Sequence, residues 1–319
     1  MHSLLDRYPG VYHLWRTLRL SRGGRALARA RERRVTPARL ARHAAAARTP
    51  DPSYASEWAH LRALVERLGV AEPGFAVDLA AGDGVTSSCT LPLFRDLGWR
   101  GLAIECDPAR FTLLAHAYRD FAGVRLGHRR VTPDDAVAVL TEYGVPREFT
   151  VLNLDVDSYD LSVAGAILAA FRPLVVDLEI NEKVPPPVRF AVRYTPDFRW
   201  DEGHCYGCSL AAAHDVLSAA GYRLEGVEYN NAFFVRADVA ERRGIPAIDP
   251  ETAYREGYAE RAERRRLFPW NRDVDHLLGC TPEQVVVRLE RRFRAARASY
   301  ALQTEPLAPG WDTAPGGEP

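Results

Sequence analysis

The sequence predicts an α/β protein built on a doubly wound parallel sheet whose last two strands are antiparallel. From Phe75 onward, short apolar runs that do not alternate with polar residues are separated by amphipathic stretches. Such runs are typical of strands covered on both faces, and their repetition indicates β-α units in one sheet. The last two runs, 222–229 and 232–236, are separated only by Asn230-Asn231, which predicts a β-hairpin.

This pattern predicts seven strands. The first strand, 75–79, precedes a helix that is expected to begin in the following glycine loop and to end near Gly98. The next predicted pairs of strand and helix are 102–105 with 111–121, 124–126 with 134–143, 149–154 with 161–171, and 174–180 with 210–220 after a long irregular stretch. The hairpin supplies the sixth and seventh strands.

Segments of different composition flank this domain, which is predicted to span residues 73–238. Residues 1–72 are predicted to form an arginine-rich helical segment, since residues 1–50 hold twelve arginines against two acids. A helix is expected from 57 to 68. Residues 239–305, rich in arginine and glutamate, predict a helical extension. The Pro/Gly-rich tail, 306–319, is predicted to be disordered.

The composition of the 319-residue chain argues against several classes of protein. Its net charge is zero, which gives no overall bias toward nucleic acid or membranes. No run approaches the ~20 apolar residues of a membrane span. The five cysteines, an odd number, favour free thiols in a reducing compartment. We therefore expect a soluble, cytoplasmic protein that does not bind membranes.

The first strand leads into a loop, VDLAAGDG, that combines an acid with two glycines. Gly82 and Gly84 let the backbone approach a ligand, and ligands bind at the carboxyl ends of strands in such sheets. Asp78 would repel a pyrophosphate and suits a cationic amine. Glu105, which ends the second strand, can accept hydrogen bonds from two ribose hydroxyls. The nicotinamide fingerprint is not met, because Ser87 stands where its third glycine would be.

These features resemble those of class I S-adenosylmethionine-dependent methyltransferases, most closely the FkbM-like and macrocin O-methyltransferase-like small-molecule group. VDLAAGDG is similar to the family's cofactor loop, with Ala80 where glycine is more usual. The resemblance covers about half of the chain and implies a seven-stranded, Rossmann-like methyltransferase sheet. It also implies S-adenosyl-L-methionine as cofactor, with contacts from Asp78, Ala80, Gly82, Asp83, Gly84, Glu105, Arg130 and Val131.

Carboxylates cluster where the fourth strand ends, in the stretch LDVDSYD. Strand alternation places Asp155 and Asp157 on one side, and Glu179 at the next strand end can add an oxygen ligand. Because close carboxylates repel one another, a divalent cation such as Mg²⁺ is expected, which would orient an acceptor hydroxyl and lower its pKa. Asp-x-Asp-x-Tyr also resembles the metal-binding stretch of macrocin-type sugar O-methyltransferases.

Two other interpretations of these acids stay open. Without a metal, one aspartate would act as a general base. Alternatively, Asp157 or Asp160 only caps the helix that follows.

The segment 182–209 is long and irregular, and such loops usually carry function. It follows the fifth strand and is expected to cover the acceptor pocket. His204 and Tyr206 are predicted to bind the acceptor or to transfer a proton. Cys205 and Cys208 have the spacing of a zinc or redox pair, but the chain has no second pair, and zinc is not predicted.

The sequence thus predicts a methyltransferase of secondary metabolism that acts on a small molecule, by O-methylation of a natural-product or sugar-type acceptor. The predicted catalytic residues are Asp155, Asp157, His204 and Tyr206, and the predicted metal ligands are Asp155, Asp157 and Glu179. The terminal helices are expected to shape the acceptor pocket or a homodimer interface.

Two alternative functions remain. An RNA methyltransferase would use the arginine-rich N-terminus, although that segment has few aromatic residues for base stacking and nucleic acid is not the expected partner. A catalytically inactive binding protein would keep the fold without turnover.

Overall fold

The computed structural model describes residues 35–48, 55–296 and 298–312. Its strands are Phe75–Leu79 (β1), Arg100–Glu105 (β2), Val124–His128 (β3), Glu148–Leu154 (β4), Arg172–Glu179 (β5), Arg189–Val192 (β6), Tyr222–Glu228 (β7), Asn231–Arg236 (β8) and Tyr300–Gln303 (β9). Seven of them form one sheet in the order β3-β2-β1-β4-β5-β8-β7. The first five are parallel, and β8 runs antiparallel to β5 and β7. The predicted seven-stranded, Rossmann-like sheet with an antiparallel terminal hairpin is confirmed.

Helices precede the sheet, connect its strands and follow it. The first two are Pro37–Ala46 (α1) and Ala55–Arg67 (α2). The connecting helices are Leu91–Arg95 (α3), Pro108–Ala117 (α4), Ala136–Glu142 (α5), Asp160–Ala170 (α6) and Leu210–Ala219 (α7). The extension contains Ala237–Arg242 (α8), Pro250–Tyr254 (α9), a π-helical turn Arg255–Ala259, Arg264–Leu267 (α10), 3₁₀ turns Pro269–Asn271 and Asp275–Gly279, and Pro282–Phe293 (α11).

Both faces of the sheet are buried, which explains why its strands read as continuous apolar runs. Along β1, Ala76 packs with α2 and α3 on one face, and Val77 packs with α5 and α6 on the other. Most of the arginine-rich N-terminal segment, residues 1–34 and 49–54, lies outside the described residues. Within the described residues, none of the helices combines the length and the apolar character needed to cross a membrane.

Two predicted details are wrong at the residue level. The helix expected to begin in the glycine loop begins only at Leu91, because Ala80, Gly82, Gly84 and Ser87 all have positive φ, which an α-helix does not accommodate. The hairpin turn is Tyr229-Asn230 rather than Asn230-Asn231.

The position of the hairpin turn follows from two contacts. Asn231 pairs with Glu228 inside the ladder of β7 and β8. Tyr229 takes the left-handed conformation while its ring packs against Phe268 at 5.8 Å. The aromatic contact offsets the cost of a left-handed tyrosine, which the sequence pattern does not reveal.

Sequence patterning missed a second sheet, in which β6 pairs with β9 antiparallel. β6 lies inside the segment predicted to be irregular. The predicted disordered tail is ordered as far as residue 312, since Trp311 packs on the core and its carbonyl accepts a hydrogen bond from Arg193 Nε at 2.7 Å. Residues 313–319 lie outside the described residues.

The C-terminal extension covers the outer edge strand of the main sheet. The Tyr229 N–H donates to the Gly257 carbonyl at 3.0 Å, and the Ile248 N–H donates to the Leu224 carbonyl at 3.1 Å. A Cβ added at Gly257 would lie 2.1 Å from the Val227 carbonyl oxygen. Only glycine lets the π-helical turn lie this close to β7.

We expect Gly257→Ala to lower the free energy of unfolding by about 1–3 kcal/mol, because the turn must move off the strand. Gly165→Ala is the matched control. Nothing lies within 4 Å of its added Cβ, and it is interior to α6, so it should stabilise by about 0.5–1 kcal/mol. Urea unfolding of both variants measures the difference. Equal effects would show that the turn is not held against β7.

Candidate functional site

A cavity of about 770 Å³ opens at the carboxyl ends of β1, β2, β4 and β5. This is the edge of a doubly wound sheet at which ligands bind. The strand ends, the segment 198–206 and part of the C-terminal extension form its walls. The lining includes Ala80, Glu105, Arg130, Val131, Asp157, Glu179, Glu182, Lys183, Trp200, His204, Tyr206, Phe268 and Trp270.

The loop after β1 is held in a left-handed, non-helical conformation. The φ angles are +64° at Ala80, +59° at Gly82 and +76° at Gly84. Glycine adopts these angles readily, but an alanine costs about 1–2 kcal/mol there. Gly84 is also required by packing, since an added Cβ would lie 2.4 Å from the Leu114 side chain.

Glu105 joins this loop to the loop that follows β2. Its Oε2 accepts a hydrogen bond from the Gly82 N–H at 2.9 Å, and its Oε1 accepts one from the Asp107 N–H at 2.6 Å. Its side chain is buried at the cavity wall. One carboxylate therefore fixes two strand ends relative to each other at the cavity.

Asp78 lies beneath the loop and is not part of the cavity wall. Thr90 Oγ1 donates to its Oδ2 at 2.5 Å, and Asn153 Nδ2 donates to its Oδ1 at 2.8 Å. Burial raises the pKa of Asp78 to about 6. Asp78 therefore supports the loop from beneath the cavity wall, and its predicted direct contact with a cationic amine stays a prediction.

The eight predicted cofactor residues divide into two groups. Those that line the cavity are Ala80, Glu105, Arg130 and Val131, and those that do not are Asp78, Gly82, Asp83 and Gly84. The Asp83 carboxylate instead closes a turn, since its Oδ1 accepts from the Val85 and Thr86 N–H groups at 3.0 and 2.7 Å. Ala80 is thus the residue through which the loop 80–84 lines the cavity, and the cofactor contacts of all eight residues stay a prediction.

Arg130 has a tethering role that the sequence did not indicate. Its guanidinium donates to the carbonyls of Pro196 and Phe198 at 3.1 and 3.0 Å. It also lies over the ring of Tyr159, 5.2 Å from the centroid. The side chain therefore ties the segment after β6 to the loop after β3.

The structure brings together the three predicted metal ligands. Single oxygens of Asp155, Asp157 and Glu179 lie within 4.8 Å of one another. Asp155 Oδ1 and Glu179 Oε2 are buried without a hydrogen-bond partner. Glu179 Oε1 accepts from Asn230 Nδ2 at 3.0 Å. Within the described residues, this is the one group of three or more acidic, cysteine or histidine side chains spaced to hold a metal ion.

Burial is the main cause of the raised pKa values in this cluster. It raises the pKa of Asp155, and it raises the pKa values of Asp157 and Glu179 well above their ordinary range, with the nearby charge of Asp155 adding to the effect. Asp157 also has a φ of +55°, in the left-handed region. The sequence thus places buried, mutually repelling acids at the wall of a cavity, an arrangement frequent at functional sites.

Asp160 belongs to the turn rather than to the cluster. Its carboxylate accepts hydrogen bonds from the Val156 and Ser158 N–H groups at 2.7 and 3.0 Å. It thereby fixes the backbone between β4 and α6. The alternative that Asp160 caps this helix is wrong, because α6 begins at Asp160 and the two amides that its carboxylate binds precede the helix.

His204 lines the cavity and contacts an acid from the C-terminal extension. Its Nε2 lies 3.2 and 3.4 Å from the two carboxylate oxygens of Asp273, and Arg292 on α11 also contacts Asp273. Asn181 holds the backbone of this segment, since its Nδ2 donates to the carbonyls of His204 and Tyr206, each at 2.9 Å. The histidine is therefore fixed through both its backbone and its ring.

Tyr206 forms a buried cluster with two residues that follow β5. Lys183 Nζ donates to the Tyr206 hydroxyl at 2.6 Å and to Glu182 Oε2 at 3.1 Å, and the Tyr206 hydroxyl donates to Glu182 Oε2 at 3.1 Å. Asn271 Nδ2 donates to Glu182 Oε1 at 2.6 Å. Burial and the adjacent Glu182 raise the pKa of Tyr206 well above its usual value, so its hydroxyl stays protonated.

Sequence reasoning missed several lining residues. Lys183 had a signal, because it is the only lysine among 42 lysines and arginines and follows directly after a strand end. The extension carried no comparable signal, since its residues are far from the other site residues along the chain. Phe268 and Trp270 line the cavity, and Asn271 and Asp273 contact Glu182 and His204.

Comparisons with known proteins find similarity to solved structures alone. No protein-family model matches the chain, and no curated protein matches it significantly. The solved structures that it resembles include the N-terminal domain of EvdMO1, crystallised with S-adenosylhomocysteine and D-fucose, at 13% identity and a TM-score of 0.37 over 56% of this chain and 81% of that one.

Two further solved structures have similar values. A SAM-dependent methyltransferase from Aquifex aeolicus gives 12% identity and a TM-score of 0.35, over 63% of this chain and 97% of that one. An O-methyltransferase family protein from Burkholderia thailandensis gives 14% and 0.36, over 55% of each chain. At such low similarity, the function has to be inferred from the cavity residues themselves.

The left-handed alanine gives a stability test of the loop. We expect Ala80→Gly to raise the free energy of unfolding by about 0.5–1 kcal/mol, since relief of the left-handed conformation exceeds the added backbone entropy of glycine. The neighbour Ala81, which is buried and has no positive φ, is the matched control.

Ala81→Gly should destabilise by about 0.5–1 kcal/mol. Thermal and urea unfolding of both variants report the sign. Destabilisation by Ala80→Gly would contradict the assigned loop conformation.

Proposed function

We propose that the chain is a class I S-adenosylmethionine-dependent methyltransferase that O-methylates a small natural-product or sugar-type acceptor. The observation that carries this proposal is the arrangement of one cavity. A glycine-containing loop braced by Glu105 forms one wall, and the carboxylates Asp157 and Glu179 form the other. The finer assignment to the FkbM-like and macrocin-like group rests on the Asp-x-Asp-x-Tyr stretch that begins at Asp155.

The donor side of the cavity suits S-adenosylmethionine better than a dinucleotide. Glu105 ends β2 at the cavity wall, where a carboxylate can accept hydrogen bonds from ribose hydroxyls. Ala80 has only a methyl side chain, so a ligand can come close to its backbone. The loop lacks the third glycine of the nicotinamide fingerprint, since Ser87 stands there, and Asp78 beneath the loop disfavours a pyrophosphate by charge repulsion. When bound, S-adenosylmethionine supplies an electrophilic methyl group on its sulfonium.

The acidic cluster fits a hard divalent cation. Its donors are all carboxylate oxygens, which Mg²⁺ prefers, and two of these oxygens are buried without a partner. Asp155, Asp157 and Glu179 would hold the ion. Bound there, a cation would supply positive charge that lowers the pKa of an acceptor hydroxyl.

His204 is the residue that we assign to proton transfer. The imidazole, oriented by the contact of Nε2 with Asp273, would take up the proton of the acceptor hydroxyl. Asp273 orients the ring and stabilises the imidazolium that results. Tyr206, held by Lys183 and Glu182, would position the methyl acceptor because its hydroxyl can donate or accept a hydrogen bond.

The acceptor side of the cavity has aromatic walls. Trp200 packs against Tyr206 at 5.1 Å, and Phe268 packs edge to face with Trp270 at 5.5 Å. Aromatic side chains beside Glu182 and Lys183 suit a compact ring that carries hydroxyl groups. A cavity of about 770 Å³ has the size of a small-molecule site.

Isothermal titration calorimetry with S-adenosylhomocysteine and with NADH tests the proposal. We expect micromolar binding of S-adenosylhomocysteine and none of NADH. Glu105→Gln should weaken the binding by about 10-fold or more, because charge-assisted hydrogen bonds to ribose are lost. Glu148→Gln, an exposed acid on β4, is the matched control and should bind normally. Tighter binding of NADH, or failure of S-adenosylhomocysteine to bind, would remove the basis for the methyltransferase assignment.

Mg²⁺ titration tests the acidic cluster. Because the pKa values of Asp157 and Glu179 are raised, these ligands must lose protons before they bind, so affinity for Mg²⁺ should increase from pH 5 to pH 8. Asp157→Asn should weaken binding at least about tenfold while tolerating the left-handed backbone. Asp120→Asn, at an exposed acid, should have no effect. A Kd that is independent of pH, or normal binding by Asp157→Asn, would contradict the site.

A further inference from the structure

One side chain from outside the sheet domain contacts the loop after β1. His43, on α1, places Nε2 2.8 Å from the Asp83 carbonyl oxygen. Its Nδ1 lies 3.8 Å from Asp83 Oδ2, and the two side chains are 10% and 18% exposed. A carbonyl oxygen only accepts hydrogen bonds, so Nε2 is the protonated ring nitrogen in this contact.

The same helix is anchored next to this contact. Ala47, directly after α1, is buried, and its carbonyl accepts a hydrogen bond from Arg95 Nη1 at 3.2 Å. Arg95 is the last residue of α3, the short helix that follows the loop. The last turn of α1, which contains His43, therefore lies against the loop, and Ala47 directly after this turn is tied to the end of α3.

The loop has reason to need such a contact. Its left-handed residues prevent it from forming the hydrogen bonds of a regular helix, and its backbone is instead held from separate sides. Glu105 holds Gly82 from the cavity side, and His43 holds the next residue, Asp83, from the outer side. A loop fixed on both sides is preorganised for a ligand, which reduces the entropy cost of binding.

We propose that His43 is a positioning residue that couples the N-terminal helix α1 to binding of the methyl donor, S-adenosylmethionine. The inference rests on the proposed function, because it takes the loop after β1 to bind the methyl donor. Fixing Asp83 holds Ala80 and Glu105 in the geometry that faces the cavity. Since linkage is reciprocal, a ligand that orders the loop also strengthens the contact between α1 and the loop.

The test uses the full-length protein and S-adenosylhomocysteine as the probe. Calorimetry on His43→Ala should show affinity about fivefold to tenfold weaker than wild type, the loss expected for one hydrogen bond. His43→Gln, whose amide nitrogen can donate to the Asp83 carbonyl, should recover most of the affinity. Arg42→Gln, an exposed position on the same helix, is the matched control and should bind as wild type.

Hydrogen exchange measured by mass spectrometry supplies a readout that a merely structural role would not give. S-adenosylhomocysteine should slow amide exchange across 37–46 in wild type and in Arg42→Gln, but not in His43→Ala. Unchanged thermal unfolding of His43→Ala would confirm that the sheet domain remains folded.

The outcomes separate the two proposals. Wild-type affinity in His43→Ala, or exchange across 37–46 that does not respond to bound S-adenosylhomocysteine, overturns the coupling and leaves the proposed function intact. A wild-type chain that does not bind S-adenosylhomocysteine overturns the proposed function, and the coupling with it.

Discussion

The burial of several carboxylates at one edge of the sheet is the constraint on which the rest of the site depends. Strand register aligns Asp78 with Asn153, and Asn153 with Asp177, across β1, β4 and β5. Asp177 is fully buried, and neither of its oxygens has a hydrogen-bond partner. Asp155 and Glu179 lie two residues after Asn153 and Asp177, at the carboxyl ends of β4 and β5. Acids this close and this deep require protons, hydrogen-bond donors or a cation. Thr90 and Asn153 supply donors to Asp78, whereas oxygens of Asp155, Asp177 and Glu179 are left without a hydrogen-bond partner.

The segments outside the sheet contribute residues to the site. The C-terminal extension supplies Asn271 to the carboxylate of Glu182 and Asp273 to the ring of His204. The same extension protects the β7 edge, which would otherwise present unpaired backbone groups. Protection of the edge and the placement of Asn271 and Asp273 at the site therefore depend on the same packing of the chain after β8.

Sequence reasoning succeeded where short-range rules decide the structure. Asp155, Asp157 and Glu179 could be placed together because parallel strands end at one edge of a sheet. It failed where tertiary packing decides. Burial of Asp78 beneath the loop depends on strand pleat and on Thr90, and the partnership of His204 with a residue 69 positions later depends on the path of the extension.

The single lysine has a consequence for how the charge of the protein responds to alkali. Every other basic side chain apart from histidine is an arginine, whose guanidinium keeps its proton throughout the range in which proteins are handled. The positive surface is therefore constant on the alkaline side of neutrality. Lys183, the one ammonium side chain of the sequence, is instead enclosed between Glu182 and Tyr206 at the cavity. The cationic charge that the surface carries is thus that of guanidinium groups.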